Sequence, residues 1–109
     1  MFRLKPLEEL FPLANKKNVG IIARVPLVSG LLTGKYTKDT VFGQKDHRNY
    51  NRNGDFFDKG ETFSGVDYEL GLEAVEELKK VFKTDNLEPY ALKWILMHKE
   101  VSVLIPGAS

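Results

Sequence analysis

The stretch Val19-Gly-Ile-Ile-Ala-Arg-Val-Pro-Leu-Val-Ser-Gly-Leu-Leu-Thr-Gly-Lys-Tyr36 carries most of the information about the architecture of this 109-residue chain. It begins as an apolar run, 19–25, without the polar alternation of a strand that has one wet face. Such a run predicts a strand covered on both faces, as in parallel α/β sheets. From Pro26 the chain continues as a glycine-rich loop that ends in Lys35. Because α/β proteins bind ligands where strands feed such loops, this stretch predicts part of a ligand site.

The rest of the chain repeats this design once. The patterns predict, in order, a helix over 6–18, the strand 19–25, a long polar loop over 33–67, helices over 68–83 and 87–99, and a strand over 101–105 that stops at Pro106. Pro12 should either kink the first helix or lie in the first turn of a helix that begins near Phe11. Asn18 is expected to end that helix, and Asp85 or Asn86 to cap the third. The apolar side of the second helix should consist of Leu70, Leu72, Val75, Leu78 and Phe82, and the third helix should be largely buried, with Trp94 in the core. Two strands that need cover on both faces, taken alone, leave their edge hydrogen-bonding groups unpaired and their apolar faces uncovered. We therefore expect either that the chain is a fragment of a larger sheet or that it completes the sheet by association.

The length of 109 residues fits one domain, and the composition, with 42% hydrophobic and 28% charged residues, is that of a soluble globular protein. A net charge of +1 gives no electrostatic attraction to nucleic acid or to an anionic membrane. The apolar runs are too interrupted to span a bilayer, and the amino terminus lacks the pattern of a signal peptide, so a cytoplasmic location is expected. With no cysteine and two distant histidines, we expect no disulfide and no metal site.

The loop segment Gly30-Leu-Leu-Thr-Gly-Lys35 superficially resembles a phosphate-binding motif. It is not a Walker motif, which needs four residues between its glycines and a Ser or Thr after the lysine. A weaker interpretation remains, in which backbone N–H groups, the Ser29 and Thr33 hydroxyls and the Lys35 ammonium contact a phosphate. The alternative is an ordinary turn.

Two other polar features permit more than one interpretation. Arg24 lies at the carboxyl end of its strand, where it could bind a phosphate or carboxylate or could pair with an acidic neighbour. The segment 46–55 mixes basic, aromatic and amide residues as single-strand nucleic-acid binders do, but nearby carboxylates offset its charge, so a folded surface lid is favoured. No set of nucleophile, base and orienting acid can be assembled from the chain.

Several segments in the same order resemble aldo-keto reductases. Pro26-Leu27 with Ser29–Tyr36 resembles their seventh-strand segment, and the matches extend to Leu10–Ala14 and Asn18–Ala23 before it and to Leu72–Leu78, Ala91–Leu96 and Val103–Ala108 after it. The chain most resembles bacterial members grouped with aryl-alcohol dehydrogenase and general-stress reductases. The resemblance implies the last quarter of a (β/α)8 TIM barrel, from helix six to strand eight.

The resemblance implies contacts to NADP(H) and no catalytic residue. In the family the seventh-strand loop lies along the cofactor pyrophosphate, and the strand-eight turn lies near the adenosine phosphate. The matching positions are Pro26, Leu27, Ser29, Gly30, Leu32, Lys35, Ile105, Pro106 and Gly107. Arg24 stands where many members place an aromatic ring against the nicotinamide. The family's catalytic Asp, Tyr, Lys and His come from earlier strands that the chain does not match.

Two functions therefore remain open. The chain is either a catalytically incomplete oxidoreductase segment that holds NADP(H), or a self-associating structural module that binds no cofactor. The expected partner is the remainder of the barrel or another copy of the chain, so an oligomer is possible in either case.

Overall fold

The computed structural model describes residues 1–107, so that Ala108, the end of the Val103–Ala108 resemblance, lies outside the described residues. The chain divides into two compact units. Unit 1 comprises Met1–Pro26 with Pro89–Ser109, and unit 2 comprises Leu27–Glu88. None of the helices in the described part is long and apolar enough to cross a membrane.

The amino-terminal helical region of unit 1 is broken rather than continuous. α1 spans Lys5–Glu8 and α2 spans Leu10–Lys17, with the break at Glu9. The break places Pro12 in the first turn of α2, where its missing N–H and its bulky ring cost least. The second of the two arrangements predicted for Pro12 is therefore confirmed. Asn18 ends α2 in the left-handed conformation with φ 54°, also as predicted.

The two predicted strands of unit 1 pair in parallel. β1 (Ile21–Arg24) lies beside β2 (Val101–Ile105), with Ile21 opposite Val101 and Arg24 opposite Ile105. An irregularity between Ile21 and Ile22 shifts the register by one residue. The parallel pairing confirms an α/β arrangement, and a two-stranded sheet of this kind is consistent with part of a barrel.

Both strands leave apolar side chains uncovered. Ile22 is 65% exposed, Val103 44% and Ile105 55%, although their pattern is that of strands buried on both faces. The third predicted helix also leaves apolar side chains exposed. α5 (Glu88–Leu96) buries Ala91 alone, so the expectation of a largely buried helix is wrong for the described residues. Trp94, expected in the core, is only half-buried and packs edge-on against the His98 ring.

Unit 2 is built on α4 (Tyr68–Phe82), whose limits agree with the predicted helix. Asp67 begins the helix, because its side chain accepts a hydrogen bond from the Leu70 N–H at 3.1 Å. The buried face consists of Tyr68, Gly71, Leu72 and Val75. Leu70, predicted on this face, is 59% exposed, since the buried positions follow the i, i+3, i+4 and i+7 spacing that begins at Tyr68.

The long polar segment before α4 is more ordered than its composition predicts. It contains the short helix α3 (His47–Tyr50) and two 3₁₀ turns at Lys59–Glu61 and Phe63–Gly65, so the segment predicted as one long polar loop over 33–67 includes short helical elements. Its core is aromatic, and the Phe42, Phe63 and Tyr68 ring centroids lie 4.9 to 6.1 Å from each other. The burial of these aromatic rings stabilises a segment that has little regular secondary structure.

Candidate functional site

The carboxyl ends of β1 and β2 provide the first group of predicted site residues, all in unit 1. Arg24 and Ile105 are register partners at the ends of their strands, and both are exposed. Pro106 and Gly107 follow Ile105 and are also exposed, whereas Pro26 is buried. Parallel pairing is the reason that the two strand-to-loop junctions lie at the same edge of the sheet, as the sequence predicted.

The glycine-rich loop provides the second group, all in unit 2. It opens with three consecutive residues in the left-handed region, Val28 and Ser29 at φ 56° and Gly30 at φ 91°. Glycine adopts this conformation readily, but a β-branched residue such as Val28 does so only under strain. Residues held in this way are found preferentially at ligand-binding sites, because the surrounding structure must hold them in place.

The loop uses most of its backbone donors internally. The Gly30 and Leu32 N–H groups both donate to the Leu27 carbonyl, at 3.0 and 3.1 Å. The Leu31, Thr33 and Gly34 N–H groups donate to carbonyls three residues earlier, and the Lys35 N–H donates to the Thr33 hydroxyl. In this conformation these N–H groups do not face outward as phosphate ligands, because the left-handed residues coil the loop onto itself.

The side chains of the loop differ in how deeply they are buried. Leu32 is fully buried, Leu27 and Ser29 are half-buried, and Lys35 is exposed. The Thr33 hydroxyl donates to the Gly30 carbonyl at 2.7 Å, so it also stabilises the coiled conformation of the loop. Of the phosphate-binding groups that the sequence suggested in this loop, the Lys35 ammonium is the one that lies on the surface.

A second layer of residues, which the sequence did not predict, contacts the loop. The Ser29 hydroxyl donates to the Glu61 carbonyl at 3.3 Å and accepts a hydrogen bond from the Phe63 N–H at 3.4 Å. The Tyr36 hydroxyl donates to the Ser29 carbonyl at 3.4 Å and accepts a short hydrogen bond from Arg48 Nη1. These partners are up to 34 residues apart in the chain, and no motif spacing signals such contacts.

The basic and aromatic residues of segment 46–55 contact groups within unit 2. Arg48 Nε lies 2.9 and 3.0 Å from the two Asp46 carboxylate oxygens, and its guanidinium carbon lies 4.9 Å from the Phe42 ring centroid. Arg52 lies 4.6 Å from the Tyr68 ring centroid. The basic side chains of this segment therefore have a carboxylate and aromatic rings as partners within unit 2.

Asp46 gives this segment a measurable pH dependence. Its hydrogen bonds with Arg48 lower the pKa of the Asp46 carboxyl. A carboxyl whose pKa is lowered by folding stabilises the protein above its unfolded-state pKa of about 4, and this stabilisation disappears as the pH falls through the folded-state pKa. Because both side chains are partly exposed, we expect a contribution of about 0.5 kcal/mol.

Thermal unfolding of the Asp46→Asn variant tests this prediction. Asparagine keeps the N-cap of α3 but removes the titrating charge. Above about pH 4 the variant should melt a few degrees below the wild-type protein, and the difference should shrink as the pH falls toward about 2. A difference in Tm that stays constant over this range would contradict the role assigned to the Asp46 charge.

Among residues 1–107, no group of three or more His, Asp or Glu side chains is placed to hold a metal ion. His47, the histidine of the long segment, contacts the Thr62 hydroxyl through Nδ1 at 3.3 Å. Unit 1 thus contains a pair of strand ends, and unit 2 contains a strained loop with the exposed Lys35.

Comparison with known proteins gives consistent matches. A sequence profile described as the Aldo/keto reductase family matches residues 1–109. The aldo-keto reductase str7 of Strobilurus tenacellus is 32% identical over 104 residues, which cover 94% of this chain and 28% of that protein. The structure of the glycerol dehydrogenase AKR11B4 from Gluconobacter oxydans matches with a TM-score of 0.64 and 26% identity, covering 97% of this chain and 30% of that one. The chain therefore spans less than a third of the length of these two relatives.

Proposed function

The chain belongs to the Aldo/keto reductase family, and we propose that it supplies the pyrophosphate-binding part of an NADP(H)-dependent oxidoreductase. The observation that carries this proposal is the parallel pairing of β1 and β2, which brings Arg24 and Ile105 together at the carboxyl ends of the strands. Barrel enzymes build their sites from the loops at this end of their strands.

The groups at the surface fit an anionic cofactor. A dinucleotide pyrophosphate carries negative charge, and Lys35 in unit 2 is an exposed cation at a position that matches the family's cofactor segment. The coiled loop contributes shape rather than N–H donors, since its amides from Gly30 to Lys35 are already hydrogen-bonded. When bound, the nicotinamide supplies hydride for reduction of a carbonyl.

We propose that the chain corresponds to helix six through strand eight of a (β/α)8 barrel, within the group that includes aryl-alcohol dehydrogenases and general-stress reductases. The lengths of the two relatives support a part of a barrel, because this chain covers 28% of one and 30% of the other. The family's catalytic Asp, Tyr, Lys and His have no matching positions here. We therefore propose that the chain alone is catalytically inactive and that the remainder of the barrel is its partner.

A second candidate function, a self-associating structural module that binds no cofactor, is favoured by a different observation. Exposed apolar side chains occur on both strands, at Ile22, Val103 and Ile105, and a two-stranded sheet leaves open edges. Strand edges of this kind pair with another chain when one is available. In this case the partner is another copy of the chain.

Titration of NADPH fluorescence, with light scattering on the same samples, separates the two functions. If the loop contacts the pyrophosphate, the wild-type chain should bind NADPH, and Lys35→Ala should weaken binding about tenfold through loss of one charge-assisted contact. Lys38→Ala is the matched control, because Lys38 is also exposed and forms an ion pair with Glu69 at 3.7 Å. That variant should bind as the wild type does.

The alternative function predicts the opposite pattern. Absence of binding up to about 1 mM NADPH, together with a stable dimer or larger assembly, would support the structural module and reject cofactor binding by this chain. Carbonyl reduction by the pure chain would overturn the proposal that it is catalytically inactive.

A further inference from the structure

We propose that Tyr36 and Arg48 are positioning residues that, with the Ser29 side chain, form a clamp on the left-handed turn Val28–Gly30. The value of this clamp to the cofactor rests on the proposed function, but its existence is a property of unit 2 alone. Every contact in it lies within Leu27–Glu88.

The turn needs an external support because its own backbone opposes it. Val28 and Ser29 are both at φ 56°, and each non-glycine residue in this region costs about 1 kcal/mol or more. The Gly30 and Leu32 N–H groups both donate to the Leu27 carbonyl and so close the backbone around Val28 and Ser29, while the remaining hydrogen bonds of the coil hold the residues that follow. Contacts from distant parts of the chain add to these hydrogen bonds in holding the strained residues.

The Ser29 side chain supplies the first of these contacts. Its hydroxyl bridges the Glu61 carbonyl and the Phe63 N–H, at 3.3 and 3.4 Å. Both partners lie next to Thr62, which is fully buried and accepts a hydrogen bond from the Asn51 amide at 3.2 Å. The turn is therefore tied to the most buried part of the long segment.

Tyr36 supplies the second contact, on the Ser29 backbone. Its hydroxyl donates to the Ser29 carbonyl at 3.4 Å, and its ring packs edge-on against Phe42 with the centroids 5.1 Å apart. A methyl group at Gly30 would overlap this hydroxyl, which shows how closely Tyr36 is packed against the turn. Glycine at position 30 therefore meets two requirements, the positive φ and the space for Tyr36.

Arg48 orients the Tyr36 hydroxyl. Its Nη1 donates to that hydroxyl, which leaves the Tyr36 proton free to point at the Ser29 carbonyl. Arg48 itself is fixed by the Asp46 carboxylate and by the Phe42 ring below it. The planar guanidinium makes both polar contacts at once, which a lysine ammonium does less well.

Hydrogen exchange of the full chain, measured amide by amide by NMR, tests the clamp without any cofactor. Tyr36→Phe keeps the ring and removes the hydroxyl, so exchange of the Gly30 and Leu32 amides should accelerate about tenfold, as expected for loss of a supporting hydrogen bond. The amides of α4 should keep their rates. Tyr50→Phe is the matched control, since it makes the same change at a ring that packs on Phe56 with centroids 5.3 Å apart.

A second variant keeps the test decisive if Tyr36→Phe fails to fold. Arg48→Lys retains the positive charge but loses the planar fork, and it should accelerate the same two loop amides. Acceleration confined to the loop supports the clamp. Unchanged loop amides, or equal acceleration of loop and α4 amides, would overturn it.

The NADPH titration then distinguishes the clamp from the proposed function. If the wild-type chain binds NADPH, Tyr36→Phe should raise the dissociation constant several-fold, whereas an unchanged constant with faster loop exchange would overturn the positioning role. If the wild-type chain binds no NADPH, the proposed function fails. The exchange rates still decide whether the clamp exists.

Discussion

Replacing Asn51 with alanine should lower the free energy of unfolding by about 3 kcal/mol. The Asn51 side chain is fully buried in a segment with little regular secondary structure. Its carbonyl oxygen accepts hydrogen bonds from the Phe56 and Phe57 N–H groups at 3.0 and 2.9 Å, and its amide donates to the Thr62 hydroxyl at 3.2 Å. Alanine would leave three partners without their hydrogen bonds and would create a cavity.

We expect a large effect because the Asn51 side chain and its hydrogen bonds are buried. Each hydrogen bond contributes about 1 kcal/mol to the free energy of unfolding. Removing one partner costs more than this when the other partner stays buried without a hydrogen bond. The Thr62 hydroxyl also contacts His47 Nδ1 at 3.3 Å, so one substitution disturbs a network that joins α3 to the turn at Phe63–Gly65. Urea unfolding followed by circular dichroism measures the loss.

Asn49→Ala is the matched control for this prediction. Asn49 lies in α3, two residues before Asn51, is exposed, and makes one long hydrogen bond to the Gly43 carbonyl at 3.4 Å. We expect this variant to lose no more than about 0.5 kcal/mol. Equal losses for the two variants would show that Asn51 does not organise the segment.

Replacing Gly34 with alanine should destabilise unit 2 by about 2 to 4 kcal/mol. Gly34 lies at the end of the coiled loop with φ 76°, a conformation that costs any other residue about 1 kcal/mol or more. A methyl group there would also lie 2.7 Å from the Asp85 carbonyl oxygen and 3.0 Å from the Lys79 side chain. Because the Asp85 group is backbone, it cannot rotate away as a flexible side chain would.

Gly43→Ala provides the corresponding control. A methyl group at Gly43 would meet no atom within 4 Å, and its backbone is not in the left-handed region. The expected change is within about 0.5 kcal/mol, with slight stabilisation from the reduced freedom of the unfolded chain. If Gly34→Ala were tolerated as well as Gly43→Ala, the loop would have to be free to move away from Asp85.

Regular patterns made part of the fold predictable from the sequence. The strand at 101–105 and the helix at 68–82 have nearly the predicted limits, because each depends on local periodicity and on the capping residues beside it. The family resemblance rested on the order of motifs and was confirmed. The cofactor contacts inferred from it at positions such as Lys35 and Gly107 remain predictions.

The errors had a common physical cause. The sequence gives the helical period of α4 but not which side of the helix has a neighbour, and Leu70, predicted on the buried face, is exposed. Of the two interpretations of the loop, contact of its amides with a phosphate is not seen in this conformation, because the amides from Gly30 to Lys35 are hydrogen-bonded within the loop itself. Each of these features depends on contacts with the rest of the chain.

The sequence by itself determined the family, the order of the elements and the parallel character of the strands, since composition, periodicity and motif order are local properties of the chain. Only the tertiary structure decided how the polar segment between the loop and α4 folds. The Ser29 contacts to residues 61 and 63, the Tyr36 contact with Arg48 and the burial of Asn51 join groups that are distant in sequence. Such contacts form because burial favours satisfied polar groups, and no local pattern records which groups will meet.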